Sequence, residues 1–128
     1  MGHLILLPET IAQSDGAGPI IDLRTSSQKL LVFTLGITRS GENQSLDISV
    51  WGSEDGEHWG DKPLTTLPTK FYCGVYSMLV NLAFRPKVKY LRVQWRMRRW
   101  SRGDAGPLFG FYSIVEESGA RLVAKAVA

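Results

Sequence analysis

The sequence predicts an all-β fold, an antiparallel β-sandwich with a jelly-roll-like arrangement, on three observations. Helical periodicity is hard to find, whereas apolar residues recur at every second position in several segments. Clusters of turn-forming residues interrupt these segments at short intervals, in keeping with 13 glycines and 6 prolines. The alternating segments number about eight, the count of a double-sheet jelly roll. At 128 residues the chain has room for one sizeable apolar core but not two, so residues 1–128 read as a single β-sandwich domain.

The first apolar run is His3-Leu4-Ile5-Leu6-Leu7, which stops at Pro8-Glu9. It lacks the positive flank and small-residue cleavage site of a secretory signal and is too short to cross a bilayer. No signal peptide or membrane span is expected. Synthesis in the cytoplasm is, with incorporation into a particle left open as the destination. Residues 1–19 read as a flexible or subunit-contacting segment that includes a short strand at Leu4 to Leu7, and another strand is expected at Ile20 to Leu23.

Residues 29–38 alternate, with Leu31, Phe33, Leu35 and Ile37 on one face. The polar turn Arg39-Ser40-Gly41-Glu42-Asn43-Gln44 leads into a strand with Leu46, Ile48 and Val50 inward and Asp47, Ser49 and Trp51 outward. These two strands are expected to form a long hairpin. In Gly52-Ser53-Glu54-Asp55-Gly56-Glu57-His58-Trp59 the Asp-Gly pair suits a tight turn, which would fold Trp59 back over the preceding strand.

Pro63 and Pro68 bracket an irregular connection, after which Tyr76, Met78, Val80, Leu82 and Phe84 hold alternate positions of a core strand. Arg85-Pro86 stops that ladder, because proline has no amide to donate and restricts its predecessor. A new strand should begin near Val88. It carries the clearest two-faced pattern of the chain, with Leu91, Val93, Trp95 and Met97 on one side and Tyr90, Arg92, Gln94, Arg96 and Arg98 on the other. Ser101 to Pro107 reads as a flexible turn. Leu108 to Glu116 reads as a strand apolar enough on both faces for two-sided burial, and 119–128 as a tail with a small-residue strand at Leu122 to Val127. The expected central core is Leu31, Phe33, Leu35, Ile48, Val50, Met78, Val80, Leu82, Leu91, Val93 and Trp95.

Charge is unevenly placed. Eight basic residues and no acidic one lie between Arg85 and Arg102, which leaves seven basic against twelve acidic residues elsewhere, a net of −5. The protein is electrically two-ended.

Catalytic, cofactor and metal chemistry find little support. His3 and His58 are the two histidines, with no paired spacing and no HExxH. Cys73 is the single cysteine, so one copy of the chain forms no disulfide; without an activating neighbour in sequence it reads as a buried structural thiol. Glu54, Asp55, Glu57 and Asp61 lack the ligand positions of an EF-hand loop and read as an exposed acidic turn. No glycine-rich phosphate cradle is present. No catalytic, cofactor-binding or metal residue is therefore assigned.

At Gly52-Ser53-Glu54-Asp55-Gly56-Glu57-His58-Trp59 and Lys89-Tyr90-Leu91-Arg92-Val93 the sequence resembles the discoidin-like, coagulation-factor type of jelly roll, which binds carbohydrate and lipid. Over the longer order from Leu30 to Val115 it is similar to small β-sandwich proteins of phage-like structural gene clusters. These combine a Leu-Asp-Ile-x-Val strand, the same Asp-Gly turn and a Tyr-Leu-Arg-Val strand that leads through a Gly-x-x-x-Pro loop. It departs from the discoidin pattern in its short first hairpin and in the mid-chain Cys73, so no ligand loop is carried over. Both resemblances imply binding or structure, not catalysis.

The function expected is a non-catalytic structural or assembly module forming homo-oligomeric contacts, as in a component of a phage-like or other protein particle. The alternative is a discoidin-like carbohydrate-binding module. The candidate interaction surface is Trp51, Tyr90, Arg92, Arg96, Arg98 and Trp100, with the arginines facing acidic surface on another copy. Other particle components and glycans are further candidate partners, and nucleic acid is the least supported, since no nucleic-acid-binding signature accompanies the stripe.

Overall fold

The computed structural model describes residues 3–23, 30–41, 43–100 and 107–117. Nine strands follow in chain order: β1 (His3–Ala12), β2 (Gly16–Ala17), β3 (Ile21–Asp22), β4 (Leu30–Ser40), β5 (Gln44–Ser53), β6 (Thr65–Thr66), β7 (Gly74–Asn81), β8 (Tyr90–Arg99) and β9 (Phe109–Glu117). No helix occurs among the described residues. The strands form two antiparallel sheets, the first in the order β1-β9-β4-β7 and the second in the order β2-β8-β5-β6, with β3 also on β8. Because β2 and β3 pair with successive stretches of β8, they act as one interrupted strand, which gives the eight-strand pattern of a jelly roll. This is the all-β, antiparallel sandwich the alternation predicts.

The expected β4–β5 hairpin does not form. β4 pairs with β7 and β9, whereas β5 pairs with β8 and β6, so the polar turn between them crosses from one sheet to the other. The apolar rows of the two strands face each other across the core, and their alternation is the same as it would be side by side in one sheet. Leu31, Phe33 and Leu35 of β4, Leu46, Ile48 and Val50 of β5, Leu91 and Val93 of β8, and Phe109, Phe111 and Val115 of β9 are all buried. Trp95 meets Phe111 edge to face, with centroids 5.3 Å apart and an interplanar angle of 79°, so the two sheets interlock through aromatic contact. The Trp95 indole N–H donates to the Ser14 carbonyl at 2.9 Å, which satisfies its one polar atom. Buried Gln44 is matched at both ends: its Nε2 donates to the Leu108 carbonyl at 2.6 Å, and its Oε1 accepts the Leu108 amide at 2.9 Å. This clamp ties the start of β5 to the approach to β9.

Four members of the expected apolar rows differ, with Tyr76 and Met97 partly buried as Met78 is. Met78 is only partly buried, because β7 is an edge strand. Phe84 is 86% exposed. β7 ends at Asn81, and the Arg85 amide then donates to the Leu82 carbonyl at 3.0 Å, so Phe84 sits in a turn and no longer follows the strand's period. The next strand begins at Tyr90, not Val88, although Val88 is already buried. β6 occupies the connection between Pro63 and Pro68.

Within residues 1–19, β1 pairs along its length with β9. Register shifts between Ile5 and Leu7, and between Leu7 and Thr10, allow Leu6 and Leu7 both to point inward, and Ile5 and Ile11 then face solvent. The outer face of β9 is half-buried rather than fully buried, since among the described residues no further layer lies over Tyr112 and Ile114. The turn at 101–106 and the tail 119–128, with its expected strand at Leu122 to Val127, lie outside the described residues.

The registers give the two outer faces opposite chemistry. On the first sheet, Ile5 stands opposite Ile114, Gly36 lies between Tyr112 and Val75, and Val32 is opposite Leu79. A Cβ at Gly36 would come within 2.2 Å of the Tyr112 ring, so glycine is what lets that ring lie flat on the sheet. The second sheet instead turns outward Arg92, Gln94, Arg96 and Arg98 of β8 beside Asp47, Ser49 and Trp51 of β5.

Candidate functional site

The Asp-Gly turn after β5 is a hydrogen-bonded lock. Ser53 is fully buried; its Oγ accepts the amides of Asp55 at 3.2 Å and Gly56 at 2.8 Å, and its hydroxyl donates to Asp55 Oδ1 at 2.9 Å. The same Oδ1 accepts the amides of Glu57 at 2.8 Å and His58 at 2.9 Å, while Oδ2 lies 2.7 Å from His58 Nδ1. Gly56 takes a left-handed φ of 80°, which explains the glycine after Asp55. Asp55, Glu57 and His58 are exposed and each can bring a ligand atom within 4.8 Å of the others, but both Asp55 oxygens already serve the turn. The motif that carries the resemblance thus has a structural role here.

The His58 amide is the strongest influence holding the Asp55 carboxyl well below the usual carboxylate range, followed by the Glu57 amide, the His58 ring and the Ser53 hydroxyl. A carboxyl whose pKa is depressed in the folded state contributes stability that is present above its ordinary value of 3.8 and is lost as pH falls below it. Asp55→Asn is therefore expected to melt below the parent at neutral pH, and the gap should shrink as the pH is lowered beneath 3.8. Thermal melts of both proteins across that range check it; a gap that does not change with pH would exclude the carboxylate as its source.

The structure divides the six expected surface residues among three places. Tyr90 and Arg92 belong to the Asp-Gly turn. The Tyr90 ring lies beneath Gly56, and Trp59 folds over Arg92 of β8 rather than over β5, with its ring centroid 5.4 Å from the guanidinium. Arg92 Nη2 also reaches the Gly18 carbonyl at 3.4 Å, while its buried Nε has no partner.

Trp51, Arg96 and Arg98 line a cleft of about 640 Å³ on the outer face of the second sheet. Asp47, Ser49, Gln94 and Trp95 line it with Trp51, as do Asp15 to Ala17, Pro63 and Thr66. Trp51 Nε1 donates to Ser49 Oγ at 2.9 Å, Asp47 accepts the Thr69 hydroxyl, and Asp15 Oδ1 accepts the Met97 amide at 2.7 Å. Among the described residues, neither Arg96 nor Arg98 has a hydrogen-bond or ion-pair partner. The cleft therefore offers the Trp51 ring with the edge of largely buried Trp95, hydrogen-bonding groups and two uncommitted cations.

Trp100 lies apart from that cleft. It is exposed, meets Phe71 edge-on at 6.2 Å, and with Tyr72 and Asn43 borders a depression of about 510 Å³. Phe71 and Tyr72 were not expected at a surface site; the one signal in the sequence is their position in an irregular stretch between Pro68 and Gly74. Cys73, next to them, is exposed rather than buried, because it falls in the connection before β7, with Sγ 3.7 Å from Ser40 Oγ.

The outer face of the first sheet is a further feature that the alternation within single strands does not reveal. Val75 is 67% exposed, Leu79 57%, Ile5 55% and Ile11 54%, and half-buried Val32, Tyr112 and Ile114 lie between them. Glu116 is the charged residue of this face on β9.

No helix among the described residues is long and apolar enough to cross a membrane. No protein-family model matches the chain, and no curated protein is significantly similar to it. Among solved structures, the chain is similar to the K3 cleaved adhesin domain of Lys-gingipain from Porphyromonas gingivalis W83, with 13% identity, a TM-score of 0.47, and coverage of 78% of this chain and 62% of that one. The K1 cleaved adhesin domain of the same protein gives 14% identity and a TM-score of 0.45, over 89% of this chain and 66% of that one. Infectious bursal disease virus, Gx strain, gives 11% identity and a TM-score of 0.43, over 92% of this chain and 33% of that one. The chain thus spans less than two thirds of these structures' own length, and the likeness is a distant one, to a small antiparallel β-sandwich in adhesin and virus structures.

Proposed function

We propose that this domain is a non-catalytic assembly module that associates with further copies of itself through its first sheet, as a repeated component of a protein particle. The observation that carries the reading is the exposed apolar face of that sheet. Val75, Leu79, Ile5 and Ile11 stand out on it with half-buried Val32, Tyr112 and Ile114 and the Thr34–Ser77 hydroxyl pair between them, and a cluster of exposed apolar side chains supports an interaction site. Burial of such groups supplies affinity, while the charged second sheet remains free for a different partner. The test is Val75→Glu with Leu79→Glu, read by light scattering. Both side chains are exposed, so the fold should survive, and loss of their burial should raise the dissociation constant of the assembly by about tenfold or more. An oligomer unchanged by both substitutions would remove this face from the contact.

A second reading, carbohydrate binding, is favoured by the cleft of the second sheet. Trp51 offers a stacking surface there, Asp47 and Gln94 offer hydrogen bonds, and Arg96 with Arg98 suits an acidic saccharide. Titration with acidic and neutral oligosaccharides, followed by tryptophan fluorescence, should show binding of the acidic set that Trp51→Ala abolishes. Equal signals from parent and variant would refute it.

A further inference from the structure

A sandwich has four sheet edges, each a row of unpaired amides and carbonyls that natural proteins shorten, bend, charge or cover. Three edges here are treated in that way. In the second sheet the outermost strands β6, β2 and β3 are two residues long. In the first sheet β1 carries Pro8 and Glu9 and two register shifts.

The fourth edge, β7, has none of these devices among the described residues. It runs for eight residues, Gly-Val-Tyr-Ser-Met-Leu-Val-Asn, with no proline and no charge, and it pairs with β4 residue for residue from Gly74 to Asn81 without a bulge. Beyond the β4 ladder, no backbone hydrogen bond among the described residues involves β7. Val75 and Leu79 stand exposed along it.

We infer that β7 is a strand-addition site and that its occupant is β7 of a second copy, paired antiparallel about a two-fold axis at Ser77. This rests on the assembly reading above and specifies its contact. Three features of the strand select a second copy. An isologous contact brings one patch against its own copy, with only the residue on the axis opposite itself, so a charge near the axis would lie close to its like; β7 has none. With Ser77 opposite Ser77, the alternation sets Val75 opposite Leu79 of the other copy on the outer face, and Tyr76 opposite Met78 on the inner face. Every large side chain then meets an apolar partner. The two first sheets also become one continuous sheet; the seam buries part of Val75 and Leu79 against the other copy, and β7 amides that have no partner among the described residues gain one.

The experiment has two arms. Ser77→Lys places a charge on an exposed side chain of the folded domain but sets lysine against lysine in the dimer; sedimentation equilibrium should show a dissociation constant raised by about tenfold or more. In a Cys73→Ser background, Ser77→Cys should form an interchain disulfide on mild oxidation, because opposed residues have Cα atoms about 4.5–5.5 Å apart, within disulfide range. Ile11→Cys in the same background, on the far edge, should not. A parent that oligomerises while Ser77→Lys leaves its affinity unchanged and Ser77→Cys does not cross-link overturns the β7 contact and leaves assembly to another surface. A parent that stays monomeric throughout the micromolar range overturns the β7 contact and the assembly reading together.

Discussion

Val93→Asp is expected to leave the chain unfolded at room temperature. Val93 is fully buried at the middle of β8 and faces the core, where the described residues offer no cation to pair with a new carboxylate. Burying an unpaired charge costs several kcal/mol or more even when its pKa shifts to neutralise it, which is comparable with the total stability of about 5–15 kcal/mol usual for a domain. Near-ultraviolet circular dichroism and a thermal melt read the outcome directly. A cooperative melt close to the parent's would mean that residues 90–98 have the opposite phase.

Phe111→Ala is the second large effect, a loss of about 3–5 kcal/mol. Phe111 is fully buried and is the first-sheet half of the aromatic contact with Trp95, so its removal opens a cavity between the sheets. Met78→Ala is the informative contrast, because Met78 is only partly buried on an edge strand and should lose much less. Denaturant midpoints at constant slope distinguish the two. Equal losses would contradict the placement of β7 at the edge.

The fold was largely legible because sandwich strands announce themselves by period two. Leu31, Phe33 and Leu35, or Leu91, Val93 and Trp95, point inward for the reason the alternation states: one face of each strand is buried and the other is not. Pairing was not legible. β4 and β5 alternate in the same way whether they lie side by side or face each other across the core, and only the registers show that they sit in different sheets. Phe84 was misplaced because period two holds only as long as the strand lasts, and β7 ends three residues earlier.

The surface was legible in part. Arg96 and Arg98 project from β8 as their spacing says, but Arg92 of the same stripe is held by Trp59 and the Gly18 carbonyl, contacts between segments distant in sequence. The apolar face of the first sheet was hidden for a related reason. Ile5, Ile114, Val32 and Leu79 come from four strands, and each alone resembles an ordinary strand residue. Only the strand order gathers them on one face.

The central claim is that this chain assembles through its first sheet, and sedimentation velocity of the unmodified protein over a wide micromolar range tests it most directly. Assembly should give a reversible rise in sedimentation coefficient with concentration, from a monomer to at least a dimer. A single monomeric boundary at every concentration would contradict it.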